Sequence, residues 1–360
     1  MTSPFPASAS TFAGNAFPHP VSPDLAAALR RALHALPRPP GRFAVAVSGG
    51  ADSAMLALHA AAVAREQGGG VVLLHVHHGL QAAADGWRDR VEDLAGLLAA
   101  PLRQARVEVD AAGGKGIEAA ARDARYAALA RLAHEEGIGL VLLAHHRNDQ
   151  AETVLLRLLR GTGLAGMAAM APLKSRDGLS YLRPWLDQDR ATILRAAQAF
   201  ADATGWQPVQ DPTNADPRYT RAALRELLAP VLDARWPGWR AIVARHARHM
   251  AEANEILDEV ARADFAALEP DADGASFSLA AWRRLSPARQ GHVLRHWMGR
   301  QGARMPTEAR LNDLLRQLRG LHSLGHDRQL RVEQAGHVVR CHRGRVWIEP
   351  RPDPQTPASR

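Results

Sequence analysis

The chain has 360 residues, 46% of them hydrophobic, which suffices for two or three packed domains. It holds no run of 18 apolar residues, so no membrane-spanning helix is expected, and its single cysteine, Cys341, leaves no disulfide framework or paired-cysteine site. The net charge of +8 is uneven: residues 1–215 carry +1, 216–273 carry −3 and 274–360 carry +10. A basic C-terminal quarter suits a polyanion-binding module, and a solvated basic tail has the same composition.

The first 22 or so residues are rich in Ser, Ala, Pro and Phe. They lack the basic and continuously apolar regions of a signal peptide and read as a disordered leader, with a first helix before residue 40. From Arg42 to about Thr204, extended and helical patterns alternate. Runs at 42–47, 71–77, 102–109, 138–144 and, more weakly, 179–184 read as strands. Helical patterns lie near 52–66, 83–99, 117–136, 149–160 and 189–204. Several strands are apolar on both faces, as a parallel sheet covered by helices requires. A doubly wound α/β domain over 41–217 follows, with ligands expected at the carboxyl ends of its strands.

Residues 218–270 form a helical connecting region, interrupted at Trp236-Pro237-Gly238-Trp239. The turn-rich stretch EPDADGA (269–275) leads into a small basic α/β module over 276–350. Its helices are predicted near 279–300 and 307–319, and its strands near 328–333, 337–341 and 345–349. Residues 351–360 read as a tail.

The chemistry concentrates after the strands. Ser48-Gly49-Gly50-Ala51-Asp52-Ser53 joins the first strand to the first helix of the α/β domain. Glycines there let backbone N–H groups approach a phosphate, and the helix N-terminus adds its dipole. A carboxylate at Asp52 repels phosphate unless a cation such as Mg²⁺ lies between them. The Walker pattern GxxxxGK[ST] is absent, and the GxGxxG at 161–166 follows a helical pattern, which is the wrong context for a dinucleotide fingerprint. His75, His77 and His78, with His145 and His146, raise the question of a metal. The period of two places His75 and His77 on one face and His78 on the other. Glu118, Arg122 and Arg125 share one helix face, as do Arg221 and Arg225, a spacing that suits either an anion site or a surface ion pair.

SGGADS matches SGGxDS, the pyrophosphate loop of the N-type ATP pyrophosphatases, or PP-loop enzymes. Four further stretches sharpen the likeness: HVHHGLQAAADGW (75–87), GIEAAARDARYAAL (116–129), AHHRNDQAETVLLRLLRGTGLAGMAAM (144–170) and DPTNADPRYTRAALRELLAPVL (211–232). Together they resemble the tRNA(Ile)-lysidine synthetase family, closely over about 42–240 and more loosely to about 349. Longer members carry a second C-terminal domain, which is not expected within these residues.

The resemblance implies an adenine nucleotide alpha-hydrolase-like fold and a reaction on the wobble cytidine of the CAU-anticodon isoleucine tRNA. ATP adenylates the cytidine C2 oxygen, and free L-lysine then displaces AMP through its ε-amine to give lysidine. It also implies roles. Ser48, Gly49, Gly50, Ala51, Asp52 and Ser53 would grip the pyrophosphate, with Asp52 holding Mg²⁺. Ala46, His77, His78 and His145 would complete the ATP site. Glu118, Arg122, Arg125, Arg221 and Arg225 would bind substrate. Asp52, Asp149 and Arg125 would carry the catalysis, with Asp149 or Glu118 as base for the lysine amine. Two positions depart from the family pattern: Asn148, where an acid is usual, and Ala222, where an asparagine is usual. Trp282, His296 and Trp297 suit RNA stacking or a core. The implied protein is cytoplasmic and free of membrane, as a monomer or a homodimer. The alternatives are another PP-loop tRNA-modifying adenylation enzyme, or a non-catalytic nucleotide- or RNA-binding module. Thiolases of the class usually need paired cysteines, which Cys341 alone does not supply.

Overall fold

The computed structural model describes residues 17–77, 84–107, 117–211, 216–321, 329–334 and 336–351. Most of the expected leader, His78 and the side chain of Glu118 lie outside the described residues, as does the tail beyond residue 351. The chain divides into two compact units, Met1–His249 and Met250–Arg360.

The first unit opens with α1 (Pro23–His34) and continues β1 (Arg42–Ala46), α2 (Ala51–Glu66), β2 (Gly70–His77), α3 (Ala84–Leu97), β3 (Leu102–Arg106), α4 (Ile117–Glu135), β4 (Leu140–Leu142), α5 (Arg147–Leu159) and α6 (Leu164–Met167). A hairpin of β5 (Leu173–Arg176) and β6 (Leu179–Leu182) precedes α7 (Arg190–Thr204). Then come α8 (Thr220–Ala223), a π-helical turn at Leu224–Leu228, α9 (Ala229–Arg235) and the long α10 (Trp239–Ala266), whose later part belongs to the second unit.

The six strands form one sheet in the order β3-β2-β1-β4-β6-β5, all parallel except the edge strand β5. Successive side chains of a strand point to opposite faces. Phe43 and Val45 therefore enter the core with Leu25, Leu29 and Leu33 of α1 and Ile193 and Phe200 of α7. Ala44 enters the other core, with Tyr126, Leu129 and Leu132 of α4. Helices on both faces explain why these strands read as unbroken apolar runs. β5 escaped the sequence reading because its LKSR is exposed and carries no apolar alternation. β1 pairs with β2 on one side and β4 on the other, so the strand order reverses at β1. That reversal opens a crevice beyond the carboxyl ends of β1 and β4.

The second unit holds β7 (Ser276–Ser278), α11 (Leu279–Arg283), α12 (Pro287–Arg300), α13 (Glu308–Gly320), β8 (Leu330–Gln334), β9 (His337–His342) and β10 (Arg345–Pro350). Its antiparallel sheet runs β7-β10-β9-β8. The single helix expected over 279–300 is two, because Pro287 cannot extend α11 and instead starts α12. Trp282 and Trp297 are fully buried in this unit's core. Each indole N–H finds an internal acceptor: Trp282 donates to Gln290 O at 3.2 Å, and Trp297 to Gly274 O at 3.1 Å. Stacking of either tryptophan on RNA is thereby overturned. Buried indoles with satisfied N–H groups are core residues.

Candidate active site

The loop after β1 is built from its own hydroxyls and amides. Ser53 Oγ donates to Gly50 O and accepts from the Ser48 N–H, both at 3.1 Å, with Ser48 Oγ also 3.1 Å away. Gly49 sits at φ +89°, and a Cβ there would lie 3.0 Å from Val209 Cγ2. The Val209 N–H donates to Gly49 O at 3.0 Å, so the incoming chain from α7 clamps the turn. Upstream, His75 Nδ1 lies 2.8 Å from Val47 O, pinning the last residue before the loop. Burial keeps that histidine's pKa below its ordinary value. Gly50 then begins α2, with Ala51 and Asp52 in its first turn and no side chain capping the helix. Its free amides and positive dipole face the crevice.

Asp52 Oδ1 is buried and accepts no hydrogen bond. Two side-chain nitrogens approach it without making a hydrogen bond: His146 Nε2 at 3.7 Å and Arg190 Nε at 3.5 Å. Burial alone would raise the Asp52 carboxyl, but His146 and then Arg190 outweigh it and hold the pKa below the ordinary value.

His146, in turn, is the N-cap of α5. Its Nδ1 accepts from the Asp149 N–H at 3.4 Å, while Asp149 Oδ2 accepts from the His146 N–H at 3.1 Å, a reciprocal capping box. Asp149 Oδ1 lies 3.4 Å from Arg225 Nη2, and Arg225 makes a two-pronged bond to buried Glu152 at 2.6 and 2.8 Å. A chain of polar contacts therefore runs Asp52–His146–Asp149–Arg225–Glu152 across α2, α5 and the π-helical turn. Burial opposes the Arg225 charge, yet Glu152, Asp149 and Asp52 raise its pKa overall.

A cleft of about 210 Å³ opens beside this chain, lined by Ala46, Ser48, Asp52, Ser53, Arg125 and His145, with Tyr126 on its wall. Burial pushes His145 down to about 3, helped by Arg183, Arg125 and Arg221 against Asp149. The ring is neutral at physiological pH, and its Nδ1 is buried without a protein partner. Arg183 Nη2 is 3.5 Å from the Tyr126 hydroxyl, and the Arg122 guanidinium lies 5.7 Å from the Tyr126 ring centre. Arg221 donates to Thr153 Oγ1 at 3.1 Å. The mutual electrostatics of Arg122, Arg125, Arg157 and Arg221 mark an arginine cluster.

Residues 23–232 match the PP-loop domain, and residues 277–347 match the TilS substrate binding domain. The tRNA(Ile)-lysidine synthase of Bordetella bronchiseptica is 67% identical over 93% of this chain and 98% of its own length. That of Pseudomonas aeruginosa is 42% identical over 87% of this chain and 70% of its own.

The chain belongs to the tRNA(Ile)-lysidine synthase family.

In fold, the chain also resembles the U34-tRNA thiolase NcsA from Methanococcus maripaludis. The TM-score is 0.53 at 16% identity, covering 64% of this chain and 78% of that one. The family and fold expected from SGGADS and the motifs after it are borne out. Of the residues named from sequence, the structure gathers Ala46, Ser48, Asp52, Ser53, Arg125 and His145 on one cleft, with Gly49, Gly50 and Ala51 in the turn between Ser48 and Asp52. Asp149 and Arg225 join through the chain of polar contacts. His77 ends β2 and is not part of the described cleft lining. Among the described residues, no group of three or more His, Cys, Asp or Glu could hold a metal ion, so the histidines form no zinc site there. His146 was weighed only as a metal ligand, and the resemblance singled out its neighbour His145 instead. One residue was missed. Arg190 lies 138 positions beyond Asp52 and had no local signal except its place after a strand.

The glycine pattern at 161–166 spans the turn after α5 and the start of α6. Arg157 donates to Gly166 O at 2.6 Å and Ala169 O at 2.9 Å, closing the α5–α6 turn.

Proposed function

We propose that this protein adenylates the C2 oxygen of the wobble cytidine in a CAU-anticodon isoleucine tRNA with ATP, then replaces AMP by the ε-amine of free lysine. The observation that carries the reading is Asp52 Oδ1: a buried carboxylate oxygen with no donor, at the mouth of a glycine-turned helix N-terminus, inside a PP-loop domain. Such an atom repels phosphate by itself and fits a hard cation. Asp52 would hold Mg²⁺ there. Bound, the ion would neutralise charge on the departing pyrophosphate.

The chain's own residues do the rest. The amides of Gly49 and Gly50, the α2 dipole and the Ser48 and Ser53 hydroxyls bind the pyrophosphate. His146 holds Asp52 in line with the cap of α5. His145, neutral and partnerless at Nδ1, is free to hydrogen-bond the nucleotide. Arg125, with Arg122 and Arg221, meets the α-phosphate and the RNA backbone. Asp149 Oδ1, which accepts from Arg225 Nη2 at 3.4 Å, is the atom to take the lysine proton. At pH 7.4 only about one lysine ε-amine in 10³ is neutral, a handicap of about 4 kcal/mol that a positioned base offsets. The strongly basic C-terminal quarter, residues 274–360, supplies sequence-independent contacts to tRNA phosphates. The reaction takes place in the cytoplasm, with the tRNA pool.

The test is incubation with ATP, Mg²⁺, labelled lysine and CAU-anticodon isoleucine tRNA. Label is expected in that tRNA and absent from methionine tRNA. Pyrophosphate release without lysine incorporation would point to a different acceptor.

A further inference from the structure

The loop after β1 carries no cation of its own: Ser48-Gly49-Gly50-Ala51-Asp52-Ser53 offers hydroxyls, amides and one carboxylate. Among the described residues, one arginine comes within ion-pair distance of that carboxylate. It is Arg190, whose Nε lies 3.5 Å from Asp52 Oδ1. Arg190 is the first residue of α7, and the segment leading to it is laced to the start of α5. His146 and Trp185 form a parallel bridge, and the Arg147 N–H donates to Gln188 O at 3.0 Å. The Arg147 guanidinium donates to Asp189 Oδ2 at 2.7 Å, and the Arg190 N–H donates to Asn148 Oδ1 at 3.4 Å. The Arg190 backbone is therefore fixed at the crevice beyond the strand ends.

Its guanidinium is held far less firmly. The approach to Asp52 is not a hydrogen bond, and among the described residues it is the one ion pair Arg190 makes. The side chain is 43% exposed. Nor does this pair seat α7, because Ile193 and Phe200 are fully buried in the core shared with Phe43 and Val45 of β1. Any cation held on Asp52 Oδ1 would drive the guanidinium off by like-charge repulsion, releasing its N–H donors for an anion.

We propose that Arg190 receives the departing pyrophosphate. The proposal rests on ATP being cut between its α- and β-phosphates. In that step the cytidine C2 oxygen bonds to the α-phosphorus, and the bond from that phosphorus to the α,β-bridging oxygen breaks. The electron pair stays on the bridging oxygen, which leaves as a terminal oxygen of pyrophosphate. Pyrophosphate gains one negative charge, the cytidine ring gains one positive charge, and no proton moves. The new charge develops beside a loop that has no basic residue, where Arg190 is the arginine at hand. A guanidinium can meet two phosphate oxygens with parallel N–H bonds. Such bonds strengthen as the charge develops, so they favour bond breaking over the binding of intact ATP.

The full-length protein is used, comparing wild type with Arg190→Gln and Arg190→Lys. Calorimetry measures the binding of inorganic pyrophosphate and of AMP, each in the presence of Mg²⁺. Arg190→Gln is expected to weaken pyrophosphate by about 10- to 100-fold and AMP by less than about twofold. Arg190→Lys keeps the charge but not the planar fork, and is expected to fall between the two. In tRNA-dependent ATP–pyrophosphate exchange, the KM for pyrophosphate should rise in the same order. An unchanged pyrophosphate affinity in Arg190→Gln overturns the proposal. Equal weakening of pyrophosphate and AMP also overturns it, since that is the mark of a merely structural residue. A wild-type enzyme that releases orthophosphate instead of pyrophosphate overturns the α,β-cleavage reading itself, a result separable from failure of Arg190 alone.

Discussion

His146 Nε2 stands 3.7 Å from Asp52 Oδ1, while the same buried ring caps the helix that carries Asp149. One side chain thus sets the distance between the pyrophosphate loop and the helix after β4. His146→Asn retains a cap-forming side chain but loses the second ring nitrogen. Its ATP–pyrophosphate exchange is expected to fall by about 10- to 100-fold with little change in unfolding midpoint. His146→Ala is expected to lose the same activity and about 1 kcal/mol of stability as well. Full exchange activity in the asparagine variant would show that the ring only caps.

Gly49 is held at φ +89° against Val209, with the Val209 N–H on its carbonyl. Gly49→Ala adds a Cβ in a left-handed conformation and at a tight 3.0 Å contact. A destabilisation of about 1–3 kcal/mol is expected, with a raised KM for ATP and an unchanged affinity for tRNA. Denaturant unfolding and filter binding measure the two effects separately.

Asp149→Asn preserves an acceptor for the His146 N–H and so the α5 cap. Lysine transfer to preformed adenylated tRNA is expected to slow by about 10²–10⁴-fold, and the residual rate to rise more steeply with pH as neutral lysine becomes abundant. Full-rate turnover with an unchanged pH profile would remove Asp149 as the base.

His59 is buried, and burial favours its neutral form. Nδ1 lies 2.7 Å from Met55 O, and Nε2 accepts the Ser22 N–H at 3.0 Å, just before α1. Burial lowers its pKa from 6.5 to about 4. Between those values the unfolded chain binds a proton that the native one refuses, so stability falls as pH drops through 6.5 toward 4. Between pH 7 and pH 5 the loss is on the order of 2 kcal/mol. Urea unfolding at the two pH values should show it, and His59→Gln should flatten the dependence while being less stable at pH 7.

Trp282 fills the second unit's core, so Trp282→Ala is expected to cost about 3–5 kcal/mol. The measured effect should be a lowered unfolding midpoint. A fully stable variant with weakened tRNA binding would restore the stacking role that its burial overturns.

The alternation of apolar runs and helical patterns, the glycine pair before Asp52 and the spacing of Arg221 and Arg225 are local properties. They were legible because backbone conformation and side-chain period act within a few residues. That is why β1, β2 and β4, the helices between them and the loop 48–53 could be read directly. The exposed edge strand β5 was silent because nothing buries it, and Pro287 was read through because helical periodicity on both sides outweighed it.

Contacts across the fold were beyond local reading. The sequence alone determined that a phosphate-gripping turn with a carboxylate follows the first strand, and which family of enzymes carries it. Only the tertiary structure decided that Arg190 and His146 approach that carboxylate and that Asp149 is held by a helix cap and Arg225. It likewise placed both Trp282 and Trp297 inside the core of the second unit. These outcomes depend on which elements pack together, and packing is a property of the whole sheet and its helices rather than of any segment.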